Sequence, residues 1–233
     1  MIKFNSIHKN FNGLAALYDI NLEVSDGEFV FLVGPTGAGK STLLKLIIRE
    51  EVPSKGTLFV DDLEVPRLSG SSISQLRRRI GIIFQDFKLL QNRTVFENIS
   101  FPLEIAGLHK EDIERLTADM LDLINLKEQK DLFPNQISGG EAQKTAIARA
   151  MIQKPEILLA DEPTGNLDLK SAWEIMQLLS KLNNLGTTII MATHNFDFIN
   201  SLHHRNIEID HGKITKDTLE KNLKKPKPEK KKT

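Results

Sequence analysis

Gly34-Pro35-Thr36-Gly37-Ala38-Gly39-Lys40-Ser41 satisfies the pattern G-x-x-x-x-G-K-[ST] in full and directly follows the apolar run Phe29–Val33. Glycines at these spacings let the backbone curl so that successive N–H groups point inward at phosphate oxygens. Lys40 brings a positive charge for the outer phosphates, and the Ser41 hydroxyl suits Mg²⁺. Thr42–Ile48 reads as a helix whose positive N-terminal end favours the same anion. Nucleotide binding by Gly34 through Thr42 is the first expectation.

A second apolar run, Ile157–Ala160, ends in Asp161-Glu162. Beside a phosphate loop, an acid at a neighbouring strand end holds Mg²⁺ directly or through water, and that role falls to Asp161. Glu162 is then placed to polarise an attacking water as a general base. Gln85 follows Ile80–Phe84 and His194 follows Ile189–Thr193, so both are candidates for sensing the γ-phosphate. Singly, each has an ordinary explanation, such as a helix cap or a solvated turn. Together they all fall beyond the carboxyl ends of inferred strands, where open α/β sheets bind ligands.

Positioning these groups requires a sheet covered by helices. Phe29–Val33, Ile80–Phe84, Ile157–Ala160 and Thr188–Ala192 read as its buried strands. Between them the pattern changes: Ile113, Leu116, Met120, Leu123 and Ile124 recur at helical spacing and strand signals are few. Residues 88–150 are therefore expected to be a mainly helical insertion in an α/β core.

Inside that insertion, Ser138-Gly139-Gly140-Glu141 precedes a helical stretch through Ala150. Ser138 and Glu141 make a capping-box pattern, which needs no ligand. Two glycines in a first helical turn disfavour the helix, however, and are explained if backbone N–H groups approach a phosphate closely.

With these motifs in order, the sequence resembles the nucleotide-binding subunits of ABC (ATP-binding cassette) systems across nearly all of residues 1–220. Gly34–Thr42 resembles the family's Walker A loop, Ile157–Glu162 its Walker B strand, and Ser138–Gln143 its signature. Gln85 and His194 match its Q- and H-loop residues, and Asn166-Leu167-Asp168 its D-loop. The resemblance implies a phosphate-loop NTPase fold: a RecA-like α/β core, a helical subdomain and an N-terminal antiparallel β part. It also implies ATP and Mg²⁺ as cofactors, with Ser41, Gln85 and Asp161 at the metal and Glu162, His194 and Gln85 catalytic. Two copies would pair head to tail, with ATP between the Walker A loop of one and Ser138–Glu141 of the other. Phe11 occupies the position of an adenine-stacking aromatic, and is left open between that role and strand-core packing.

Within the family, Gly37–Ile47, Leu76–Asp86, Leu89-Leu90, Arg93-Thr94-Val95, Leu158–Asp168 and Met191–His194 resemble a subgroup that works in bacterial cell division. Lipoprotein-release and macrolide-export cassettes share part of this pattern and are the alternative. The subgroup implies an ATPase held peripherally on the cytoplasmic face of the bacterial cell membrane by an integral membrane partner, and Asp86–Glu97 is the expected docking surface, with insertion core the expected role of about half of its apolar residues Phe87, Leu89, Leu90 and Phe96. Three departures stand out: Lys144 where Arg is common, Asn195 where Asp is common, and Arg49-Glu50-Glu51 without the usual glycine.

Composition supports a soluble, intracellular chain. Of 233 residues 40% are hydrophobic and 27% charged, values of an ordinary globular protein. Zero cysteines exclude disulfides and thiolate metal sites. No apolar run approaches membrane-span length, and Met1-Ile2-Lys3-Phe4-Asn5 lacks the stretches of a signal peptide. Residues 221–233 carry seven Lys and one Glu, which leaves −6 on residues 1–220 of a neutral whole. An acidic body argues against nucleic acid as a partner. The Lys-rich tail is expected to be disordered, as a solvated extension or as a segment weakly drawn to anionic lipid.

Overall fold

The computed structural model describes residues 1–219, so the tail expected at 221–233 lies outside the described residues. The chain begins with an antiparallel pair, β1 (Ile2–Phe11) and β2 (Leu14–Val24). Next come β3 (Phe29–Val33), α1 (Lys40–Ile47), β4 (Lys55–Val60) and β5 (Leu63–Glu64). Then follow α2 (Ser71–Arg78), β6 (Ile80–Ile83), α3 (Val95–Ile105), α4 (Lys110–Ile124) and α5 (Gly139–Met151). The last elements are β7 (Ile157–Asp161), α6 (Leu169–Asn184), β8 (Thr188–Thr193), α7 (Phe196–Leu202), β9 (Arg205–Asp210) and β10 (Lys213–Asp217).

Two sheets form. One has the order β2-β1-β4-β5 and is antiparallel; the other has the order β10-β9-β3-β8-β7-β6. In the second, only the edge strand β10 runs antiparallel, and the five others are parallel. Strands buried on both faces read as unbroken apolar runs, and all five residues of β3 are buried. Alternation then divides the core. Val30, Leu32, Leu159 and Ile190 face α1 and the antiparallel sheet, packing with Phe4, Ile20, Leu43 and Leu46. Phe31, Leu158, Ile189 and Met191 face the other way, against Ile175 and Leu179 of α6 and the helices of the middle segment.

Between β6 and β7 the described chain contains helices and connecting turns but no strand. α3 and α5 begin with complete capping boxes, Thr94 with Glu97 and Ser138 with Glu141. On α4 the deepest line is Thr117, Leu121 and Ile124, whereas Ile113, Leu116, Met120 and Leu123 are only half-buried. Thr117 broke the apolar pattern, so the sequence placed the stripe slightly to one side.

Boundaries differ from expectation at several elements: β7 and β8 each extend one residue further, to Asp161 and Thr193. β6 stops at Ile83, and Phe84 is exposed as the chain leaves the sheet. α1 starts at Lys40, because Gly39 takes a left-handed conformation and lets the helix begin inside the loop. At its other end Arg49 has φ +56°, with its N–H bonded to the Leu46 carbonyl and the Glu50 N–H to that of Lys45. This is the left-handed helix terminus that glycine normally fills. The missing glycine is therefore replaced by an arginine in the same backbone shape.

Candidate functional site

The parallel strands deliver their carboxyl ends to one edge, and a cavity of about 360 Å³ opens there. Thr36, Gly37, Gly39, Lys40, Ser41 and Thr42 line it from the loop after β3 and the start of α1. Gln85 arrives from the end of β6, Asp161 and Glu162 from β7, and His194 from β8. The four strand ends singled out in the sequence thus converge on one space. Ala16 of β2 also lines it, a contribution that carried no sequence signal.

The loop is shaped by steric exclusion. A Cβ at Gly34 would lie 2.1 Å from the Ile209 carbonyl oxygen on β9, so the strand–loop junction admits only glycine. Lys40 is 7% exposed, and its ammonium donates to the carbonyls of Gly34 (2.7 Å) and Pro35 (3.0 Å). The cation is thereby held folded over the loop that must receive the anion.

Glu162 stands just past β7 with φ +49° and its side chain 14% exposed. Its N–H donates to the Ala192 carbonyl on β8 (3.0 Å), fixing the bend. One carboxylate oxygen lies 2.9 Å from His194 Nδ1, and the other lies 3.9 Å from the Lys40 ammonium. A left-handed residue without glycine is sparsely populated and persists where surrounding structure dictates it, as at functional sites. Asn195, the departure beside His194, caps α7 by accepting from the Asp197 N–H (2.9 Å), so the Asp-to-Asn difference leaves the cap intact.

Ser41, Gln85 and Asp161 bring a hydroxyl, an amide and one carboxylate to the same cavity. That hard-oxygen set suits Mg²⁺, which keeps waters and shares phosphate oxygens rather than occupying a protein cage.

Ser138–Glu141 do not line this cavity. At the head of α5, Ser138 Oγ donates to the Glu141 carboxylate (2.7 Å) and accepts from the Glu141 N–H (3.3 Å). The structure adds a reason for one glycine: a Cβ at Gly140 would lie 3.0 Å from Ser171 Oγ on α6. Asp168 caps α6, accepting from the Ser171 N–H (3.0 Å) and hydroxyl (2.5 Å), and these bonds hold its carboxyl below the usual range. Lys144 reaches Glu174 of α6 at 2.6 Å and ties α5 to α6.

Phe11 ends β1 outside the phosphate cavity and is 39% exposed, with the Lys9 ammonium 4.6 Å above its ring. Exposure at that level removes the strand-core reading of its side chain. In the expected docking stretch Asp86–Glu97 only Leu89 and Val95 are buried, whereas Asp86, Lys88, Gln91, Asn92 and Glu97 are exposed and the rest are half-buried. Leu89 is 7% exposed and packs with Phe87 and Ile137 against Ala142 and Ala146 of α5, while Phe96 packs on the main helical core. Exposed apolar side chains nearby include Phe84, Ile105 at the end of α3, and Phe133, which follows the Leu132 carbonyl bonded to the Val95 N–H.

A parallel core with a glycine loop, an acidic strand end and a helical segment beginning at Ser138 defines an ATP-hydrolysing cassette. The chain belongs to the ABC transporter family, whose family model matches residues 17–165, and it is an ATPase of that family. Cell division ATP-binding protein FtsE of Bacillus subtilis is 45% identical over 218 residues, covering 93% of this chain and 96% of that protein. Methionine import ATP-binding protein MetN of Xanthomonas euvesicatoria is 42% identical over 219 residues, covering 92% of this chain and 65% of that protein. Among solved structures, a dimeric ATP-binding cassette in a post-hydrolysis state with ADP and phosphate bound superposes with a TM-score of 0.85. It is 34% identical, covering 93% of this chain and 97% of that one.

Proposed function

We propose that this chain is the ATPase subunit of a bacterial cell-division system, which pairs with a second copy around two ATP molecules and drives an FtsX-like integral membrane protein. The convergence of Lys40, Ser41, Gln85, Asp161, Glu162 and His194 on one cavity carries the chemical half of this reading. In it the Lys40 ammonium and the loop N–H groups neutralise the outer phosphates. Ser41, Gln85 and Asp161 hold Mg²⁺, which supplies charge neutralisation at the β- and γ-phosphates. Glu162 takes a proton from the attacking water, and His194, at its carboxylate, orients that acid toward the γ-phosphate.

Ser138–Glu141 lie outside the cavity of their own chain, which supports completion of each site by a partner's α5. Dimeric solved relatives support the same arrangement. Closure then excludes water from two composite sites, and hydrolysis removes the bridge that holds them shut. The identity to FtsE proteins supports the biological half: closure pulls on the membrane partner, which controls peptidoglycan hydrolases across the membrane. No described helix is long and apolar enough to cross a membrane, so attachment at the cytoplasmic face rests on that partner.

Transport is the second reading, favoured by the identity to MetN. Purification of the chain from detergent-solubilised native membranes, followed by mass spectrometry of bound proteins, separates the two. An FtsX-like protein is the expected companion; an import or export permease in its place would overturn the division role.

A further inference from the structure

The segment leading out of Gln85 is clamped by polar side chains that the ATPase chemistry does not use, Asn98 buried and Arg149 half-buried. Phe87 and Lys88 have φ of +59° and +48°, consecutive left-handed residues that each carry a Cβ and are sterically disfavoured. The Arg149 guanidinium reaches across from α5 and donates to both of their carbonyls, at 3.0 Å to Phe87 and 2.8 Å to Lys88. It makes no ion pair among the described residues, and burial alone pulls its pKa below that of a free guanidinium. Those two carbonyls are its hydrogen-bond partners among the described residues.

Two further anchors flank the clamp. Asn98, wholly buried on α3, accepts from the Leu90 N–H (2.8 Å) and donates to the carbonyls of Leu90, Arg93 and Thr94. On the opposite side the Gln85 carbonyl accepts from Asn166 Nδ2 (3.2 Å), in the loop after β7. Gln85 therefore sits at the joint: its own carbonyl is tied to the α/β core, and Phe87 and Lys88, two and three residues further on, are tied to α5.

We infer that Arg149 is a positioning residue for Gln85, holding the loop in its left-handed form so that the Gln85 side chain stays at the cavity. Arg149 lies on the helix that opens with Ser138–Glu141, so a displacement of that helix is transmitted through the Phe87 and Lys88 carbonyls to Gln85 of the same chain. The inference rests on the proposed role of Gln85 in hydrolysis.

The test uses the full chain with Arg149→Ala, Arg149→Lys and Gln85→Ala, reading steady-state hydrolysis, binding of a fluorescent ATP analogue and amide hydrogen exchange. Arg149→Ala is expected to lower kcat about tenfold through loss of two charge-assisted hydrogen bonds, with analogue Kd within about twofold. Exchange should rise at Phe87–Leu89 and stay unchanged along α5. Arg149→Lys keeps a donor and should fall between, and it carries the same readouts if the alanine variant does not fold. Unchanged kcat, or a loss accompanied by faster exchange throughout α5 and weaker analogue binding, would overturn the inference in favour of a purely structural arginine. Gln85→Ala separates the two layers: wild-type turnover there removes the Gln85 role itself, whereas slow Gln85→Ala beside normal Arg149→Ala removes the Arg149 inference alone.

Discussion

Glu162 is held between two cationic or proton-bearing groups: His194 Nδ1 lies 2.9 Å from one carboxylate oxygen, and the Lys40 ammonium lies 3.9 Å from the other. This carboxylate, 14% exposed at the end of a parallel strand, is the group best placed to take a proton beside the phosphate loop. Glu162→Gln keeps its size and removes its basicity. Hydrolysis should fall by about 10²–10³-fold while ATP still binds, since a general base contributes on that scale. Turnover assays with parallel nucleotide-binding titrations check this, and a variant with wild-type kcat would remove Glu162 from the chemistry.

Gly34→Ala tests the junction between β3 and the loop. Its Cβ would meet the Ile209 carbonyl oxygen at 2.1 Å, and backbone cannot yield as a side chain can. The expected cost is about 2 kcal/mol or more, a fall in Tm of about 4–8 °C for a chain of this size. Thermal melting reads the loss directly, and nucleotide binding should weaken with it.

Arg49→Gly should do the opposite. Arg49 holds φ +56° past the end of α1, and its Nε is buried without a hydrogen-bond partner. Glycine adopts that backbone freely, for a gain of about 1 kcal/mol, or a rise in Tm of about 2–4 °C. A lower Tm would show that packing of the arginine stem outweighs the backbone cost.

The His204 ring stacks on Phe29 with centroids 4.4 Å apart and planes 3° apart, and burial lowers its pKa from 6.5. The folded state therefore favours the neutral ring. Its contribution to stability is fully present above pH 6.5 and is lost as pH falls through the window between 6.5 and the lower folded value. His204→Phe keeps the stacking and removes the titration. Its Tm should decline less than that of the wild type between pH 7 and pH 5, and parallel curves would show that His204 is not the group responsible.

Much of the site was legible because strand ends in an open α/β sheet are forced to one edge. Once Phe29–Val33 and Ile157–Ala160 read as buried parallel strands, the loop after one and the acids after the other had to open at the same edge, where they flank β8. The Ser138–Glu141 helix cap was equally legible, since both side chains of the capping box stand at the required spacing. What stayed hidden depends on contacts between segments far apart in sequence. Ala16 reaches the cavity only because the antiparallel sheet packs over α1. Arg149 carries no sequence signal of its own, and its place is defined by two carbonyl partners 61 and 62 residues away. Phe87 and Leu89 are open in the sequence between a surface for a partner and insertion core, and the choice depends on Ala142 and Ala146 of α5, small residues that leave room for them. Gly140 had a plausible ligand explanation, and its nearest constraint within the chain is Ser171.

The central claim is that each ATP site is completed by the Ser138 segment of a second copy. Light scattering on the Glu162→Gln chain, with and without saturating ATP and Mg²⁺, tests it most directly. The chain mass is 26.3 kDa. ATP should shift the variant to twice that value, and adding Ser138→Arg should return it to the single-chain mass with ATP still bound. A Glu162→Gln protein that binds ATP yet keeps the single-chain mass, or a doubly substituted protein that still doubles, would contradict the composite site.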